Sequence, residues 1–582
     1  METKLKRQPF LALVSVVLTL ASCSTQEEAA DLVFHNGTVW TVDAQNPTAE
    51  AVAIKDGAFM AVGSDEDIVK LRDANTQTID LKGKFVVPGF NDNHVHFASA
   101  ARFLEFNIMK VSTQEEFVNR VREVVEALPA DEWILGGYWG AYDAWAPGSS
   151  GDQSREPFTP NVDLVEEITA DHPMFIWKFD RSEFIANATA LKAVGLDPEN
   201  PQARDLQIFQ YRKSNGLTVL RGDGVRPLFE SKIPKTFSHE RRLQQTRRAL
   251  AEIRKHGVTN ISDMSDDEQL QIYRELHEAG DLTVRVHFRY PLERWRELAD
   301  QGIQIGSGDP WIRLGSLKGH IDGIMGNSTA RFFEPYSHDP DNRGRWRKLM
   351  VDDEGNFVEG KFLKYMLDAD KAGLQLTVHA IGDEANHLLL NYLEELNRQN
   401  GKKDRRFRLV HAQVIAPDDF KRLGELDVIA EVQPFHLSDD MRWMEERIGY
   451  ERCKGAYAFQ RIIDSGATLC FGTDWPGTAA AEYPINPMLG MYAAVTRQTT
   501  TGQPEGGWFP EERISIEEAI KAYTYHTAYA NFEEDIKGSI TAGKLADMTV
   551  LSRNLLEIPP EEILETDVLY TVVDGKIVYE RL

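Results

Sequence analysis

The stretch FVVPGFNDNHVH, residues 85–96, decides how the rest of the chain is read. It is an apolar, β-type run that closes on two histidines, His94 and His96. A spacing of two on a strand turns both imidazoles to the same side. Seven later runs share this grammar, an apolar segment ending in polar residues. They are GVTNISDM (257–264), TVRVHFRY (283–290), IRLGSLKG (312–319), LQLTVHAIGD (374–383), FRLVHAQ (407–413), DVIAEVQP (427–434) and ATLCFGTDW (467–475). Helical stretches such as 238–255 and 362–372 separate most of them, and Ser238 suits an N-cap. Eight such repeats match an α/β fold, a (β/α)8 TIM barrel, whose functional residues sit at the C-terminal strand ends. Here those ends carry His94, His96, Lys318, His379, His411 and Asp474. A doubly wound sheet accommodates the same alternation, but it does not explain ligand-type residues at so many strand ends.

About 160 residues separate the first strand from GVTNISDM, far more than a βα crossover needs. They include the aromatic, strand-like runs EWILGGYW (132–139) and HPMFIWKF (172–179). This reads as an insertion at about 104–245, standing over the barrel mouth. The two ends of the chain share a different pattern. Short β-rich runs are punctuated by Asn36-Gly37, Asp56-Gly57 and Asp574-Gly575, which are hairpin dipeptides. Neither end has strands enough to bury a core alone. Residues 31–84 and 536–582 are therefore expected to pair as one composite β-sandwich, with a barrel at 85–535 between them.

Residues 1–22 read as a signal peptide: Lys4, Lys6 and Arg7, then an apolar run from Phe10 to Leu20 too short to span a bilayer. The run ends in Leu20-Ala21-Ser22-Cys23, which resembles a bacterial lipoprotein signal with Cys23 as the lipidated first mature residue. Residues 23–30 then form a tether, and Ser24 favours outer-membrane delivery, facing the periplasm. The alternative is an ordinary secretory leader cut near Ala21 or Ser22. The 582 residues carry a formal net charge of -26, which argues against a nucleic-acid partner. Three cysteines exclude a disulfide scaffold. Cys470 alternates onto the inner side of its strand as a small filler, and a Cys453–Cys470 disulfide stays open.

Taken singly, each site residue has an ordinary reading. A strand-end histidine packs or hydrogen-bonds more often than it binds metal, and Asp474 can cap the segment after Trp475. Together, four histidines and an aspartate at strand ends suit a first-row dication, with imidazole favouring zinc. Trp139, Tyr142, Trp145 and Trp177 either line an apolar pocket over the mouth or pack the insertion's own core. His436, after EVQPF, is either a pocket residue or a surface histidine. The chain has no GxSxG elbow, Walker A loop or HExxH.

The segments PGFNDNHVH, HAIGDEAN, RLVHAQ and GTDWP, in that order, resemble the amidohydrolase superfamily. HGVTNISDM, LKGHIDGIMGNSTA, NPMLGMYAAVTRQ and GSITAGKLADMTVL are similar to its family 3 branch, which includes N-substituted formamide deformylase-like enzymes. The resemblance covers nearly the whole mature chain. It implies His94, His96 and Asp474 as ligands of a first ion and His379 and His411 as ligands of a second. It also implies a carboxylated Lys318 bridging the two, the alternative being a neutral lysine beside one ion. One departure stands out. Where the branch carries Asp-Gly-His, this chain has Asp180-Arg181-Ser182-Glu183, and either Glu183 or Arg181 is a possible replacement for the histidine.

The implied reaction is hydrolysis of a non-peptide C–N bond, an amide or formamide, in a small-molecule substrate. A metal lowers the pKa of water from 15.7 to about 7, and the hydroxide attacks while Asp474 acts as general base and then general acid. Lactone or phosphoester hydrolysis on the same metals, and a non-catalytic binding lipoprotein of the same fold, are the alternatives. A homo-oligomer is compatible with the sequence.

Overall fold

In the computed structural model, which describes residues 29–140, 158–197, 219–478 and 481–581, Gly89 divides the opening run in two. Phe85–Pro88 joins the sandwich, where it pairs antiparallel with Met548–Leu551, and Phe90–Val95 enters the barrel. A Cβ at Gly89 would lie 2.3 Å from Thr259 Oγ1, so only glycine lets the chain pass between the two sheets here. The barrel therefore begins at Phe90 and not, as the sequence suggests, at Phe85.

Eight parallel strands follow: β1 (Phe90–Val95), β2 (Val258–Asp263), β3 (Arg285–Pro291), β4 (Ile312–His320), β5 (Gln375–Ala380), β6 (Arg408–His411), β7 (Ile429–Val432) and β8 (Thr468–Phe471). They are neighbours in sequence order within one sheet. The last strand meets the first just beyond its end. Val95 and Trp475 form a parallel bridge, His96 N donates to Trp475 O at 2.8 Å, and Asp474 N donates to His94 O at 2.7 Å. Asp92 clasps the same seam: its carboxylate accepts from Thr473 N at 3.0 Å, Thr473 Oγ1 at 2.6 Å and His94 N at 3.0 Å. Burial pushes its carboxyl up to about 7, against these hydrogen bonds.

The helix His239–Lys255 shows why the alternating segments fold as they do. Ser238 caps it by accepting from Arg241 N, and Arg254 and Lys255 sit in its last turn, where cations suit the helix dipole. Ala249, Leu250 and Ile253 bury its apolar stripe in the barrel core. Position 245, the expected end of the insertion, falls inside this helix, so the chain has returned to the barrel by Ser238.

The sandwich joins both ends of the chain in one sheet. Its six strands run in the order Lys576–Glu580, Val568–Val573, Met548–Leu551, Phe85–Pro88, Thr38–Trp40, Thr48–Ala49. The facing sheet orders Ala58–Gly63, Ala51–Lys55, Leu32–His35 and Gln77–Asp80. Buried Arg285 of β3 ties barrel to sandwich through Asp547 at 2.7 Å and Asp574 at 3.1 Å.

The insertion has its own three-stranded sheet, with Met174–Lys178 between Ile134–Trp139 and Phe184–Ala186. Trp139 does not face the barrel mouth. It is buried with Phe117, Val121, Ile134 and Ile176 in the insertion's core, because its strand packs on the helix Gln114–Ala127. Among the described residues no helix is long and apolar enough to cross a membrane.

Candidate metal centre

The side chains of His94, His96, Lys318, His379, His411 and Asp474 line one cavity at the C-terminal end of the barrel. His94 and Asp474 approach at 3.5 Å (Nε2 to Oδ1), and His96 Nε2 lies 3.1 Å from the same oxygen. The rings of His94 and His411 are 5.1 Å apart and those of His379 and His411 are 4.6 Å apart. One ligand atom each from His94, His411 and Asp474 lies within 4.8 Å of the others, a spacing that fits a shared ion. His411 and Asp474 both have left-handed backbones, φ 73° and 60°. Such residues cost about 1–3 kcal/mol each and persist where the surroundings over-determine them.

Three of the histidines commit one ring nitrogen to an acceptor. His94 Nδ1 donates to Glu431 Oε1 at 2.8 Å, His379 Nε2 donates to the Gly323 carbonyl at 3.0 Å, and His411 Nδ1 bonds Gln433 Oε1 at 2.6 Å. The other nitrogen then carries the lone pair, the arrangement in which a histidine ligates metal. Burial holds the His94 and His411 imidazoles neutral. The His94 pKa is pushed down to about 3 by burial and then by the Lys318 charge, and His411 falls well below its usual value by burial and then by His379. Burial alone would raise the Asp474 carboxyl, but its hydrogen bond from His96 and the nearby His94 hold it well below the usual range. Lys318 Nζ is buried among them with no hydrogen-bond partner, and burial brings it down to about 7. The neutral imidazoles of His94 and His411 beside the ionised Asp474 are a donor set that fits a dication, and the orphaned Lys318 amine faces the same space.

These groups line a cavity of about 820 Å³, shared with Asp180, His320, Arg347, Asp439 and Tyr483. His436 lines it too; its Nε2 is buried without a partner, 3.9 Å from Asp474 Oδ2, and its ring packs 4.0 Å from Tyr483. Trp177 does not line it. It borders a separate cavity of about 590 Å³ with Arg102 and Tyr138, its ring packed edge-on 5.7 Å from that of Tyr138. Tyr142 and Trp145 lie outside the described residues. Where the branch's histidine is missing, Asp180 reaches the cavity, its Oδ1 accepting from Ser182 N and Oγ at 2.9 and 2.6 Å. Glu183 is turned instead to Arg221, at 2.9 Å from its Nε. Asp322 braces the end of β5 by accepting from Ile381 N and Gly382 N at 3.1 and 2.9 Å. Cys453 and Cys470 are both free thiols, so no disulfide joins them.

Sequence reading missed the polar floor of the site: Glu431, Arg289, Arg408 and Gln433. A signal existed. Glu431 and Gln433 stand within and just after the apolar strand Ile429–Val432, and Arg289 and Arg408 are arginines on buried barrel strands.

The amidohydrolase family profile matches residues 77–579. The chain belongs to that family, and within it to the family 3 branch. Protein LONG AFTER FAR-RED 3 of Arabidopsis thaliana is 33% identical over 566 residues, covering 94% of this chain and 92% of its own. N-substituted formamide deformylase of Arthrobacter pascens is 25% identical over 566 residues, covering 95% and 98%. The fold is similar to the crystal structure of an uncharacterized metal-dependent hydrolase from Pyrococcus furiosus, with a TM-score of 0.69, 24% identity, and coverage of 90% of this chain and 100% of that one.

Proposed function

We propose that this protein is a metal-dependent hydrolase that cleaves a non-peptide C–N bond, an amide or formamide, in a small molecule. The observation that carries the reading is the convergence of His94, His411 and Asp474, with the outer ring nitrogens of both histidines already bonded. His94, His96, His379, His411 and Asp474 hold one or two divalent ions, with zinc favoured by imidazole donors. Lys318 joins them as a carbamate, formed by addition of CO2 to its neutral Nζ with loss of a proton. A bound dication acidifies water and polarises a carbonyl oxygen.

The chain's own residues then carry the proton. Asp474 is ionised, and His96 Nε2 orients its Oδ1 from 3.1 Å. It accepts the proton lost by the attacking water and returns it to the leaving nitrogen, so that amide and water become acid and amine. His436 Nε2 is available to bond the substrate carbonyl oxygen. Asp180, from the segment that lacks the branch's histidine, lines the cavity and sets a different preference at the mouth.

Metal analysis of the purified protein, followed by a panel of N-acyl and N-formyl amines, cyclic amides, lactones and phosphoesters, tests this reading. Protein that retains no dication would sink the metal centre. Turnover confined to lactones or phosphoesters would replace the C–N assignment. We further propose export and lipid attachment at Cys23, on the leader sequence described above. Incorporation of labelled fatty acid into the wild type but not Cys23→Ala is the expected result, and equal labelling would refute it.

A further inference from the structure

Barrels of this kind fill their interiors mainly with branched apolar side chains. Directly behind His94 this one places a buried ionic cluster instead. Glu431 of β7 is fully buried. Its Oε1 accepts from His94 Nδ1 at 2.8 Å and from Arg289 Nη1 at 2.9 Å. Its Oε2 accepts from Arg289 Nη2 at 2.9 Å and from Arg408 Nε at 2.8 Å. Arg289 Nη2 also donates to the Asn93 carbonyl at 2.8 Å, and Arg408 reaches the Asn93 and Asn531 side chains. The carboxylate is thus fixed by strands β3 and β6 and has one direction left, toward His94. Buried ion pairs are weak stabilisers, because desolvation offsets most of the attraction. Packing alone gives no reason to keep two arginines and a glutamate here.

We propose that Glu431 is a positioning residue of the metal centre. Clamped by Arg289 and Arg408, it fixes His94 with the proton on Nδ1 and the lone pair of Nε2 turned into the cavity. The inference rests on His94 being a metal ligand, as proposed above. Outer partners of ligating histidines typically contribute about 10–100-fold in metal affinity.

The test is a chelator competition on wild type and Glu431→Gln, with the absorption spectrum of the cobalt-loaded proteins and the melting of the metal-free ones. The expected result is binding weakened about 10–100-fold with an altered cobalt spectrum. Unchanged affinity and spectrum, even with a lower melting temperature, would mean that Glu431 only packs the barrel, and would overturn the proposal. Should that variant fail to fold, Arg289→Lys keeps the charge and loses the fork. It should weaken binding in the same direction by a smaller factor, and unchanged affinity there would equally overturn the proposal. Wild type that binds no dication would sink the metal-centre reading itself, a separate outcome.

Discussion

The amide of Asp474 donates to the carbonyl of His94 at 2.7 Å, so the seam that closes the barrel also sets the distance between two of its candidate ligands. The two residues are far apart in the chain and come from the first and last barrel strands. Closure of the sheet and assembly of the site are therefore one event. Asp92 adds to the coupling, because it binds His94 N and Thr473 in the same seam.

Gly472 tests that coupling. A Cβ there would lie 2.7 Å from His94 N and 3.0 Å from Asp92 Oδ1. Gly472→Ala should therefore spread β8 from β1, cost about 1–3 kcal/mol of stability and weaken metal binding together. Denaturant melting and chelator competition measure the two. Loss of stability with unchanged metal affinity would separate seam from site.

Asp474→Asn keeps the shape and removes the base. We expect metal content near that of wild type and kcat lower by about 10²–10⁴-fold. Turnover close to wild type would show that another group moves the proton.

Removal of the metal should lower the melting temperature, since the ion binds only the folded site. At a free dication concentration 100 times Kd, the stabilisation is about 2.7 kcal/mol. Calorimetry before and after chelation, with the dication then restored, checks this. An identical melting temperature in all three states would argue against a tight site.

Asp440 gives a pH signature. Burial, then the neighbouring Asp439 charge, pushes its carboxyl up to about 8, while Tyr457 Oη and Gln413 Nε2 donate to it at 2.6 Å each. Unfolded, the same group titrates near 3.9. Between those values the folded state holds the extra proton, so its contribution is intact below about 4 and is lost as pH rises toward about 8. An asparagine can accept both hydrogen bonds and does not ionise. Metal-free Asp440→Asn should gain stability on wild type as pH rises from about 5 to 8. A wild-type-minus-variant difference that does not change with pH would refute the shift.

The barrel and most of its cavity residues were legible in the sequence because both signals are local. Apolar runs repeat with the spacing of strands, and His94, His96, Lys318, His379, His411 and Asp474 each close a run. A residue at a strand's C-terminal end faces the same mouth whatever the other strands do. Chain order alone also suggested that the ends of the chain would meet in one sheet, since neither end could bury a core by itself. The tertiary structure decided what depends on partners distant in sequence. Trp139 and Trp177 looked alike, as aromatics on insertion strands, yet one is buried in the insertion's core and the other borders a second cavity. Asp180, not Glu183, reaches the candidate-site cavity, because Arg221 holds Glu183 away. Glu431 and His94 are 337 residues apart. Their bond exists only because a closed barrel brings the inner sides of β1 and β7 within a hydrogen bond of each other, and no local pattern in the sequence encodes a distance across the interior.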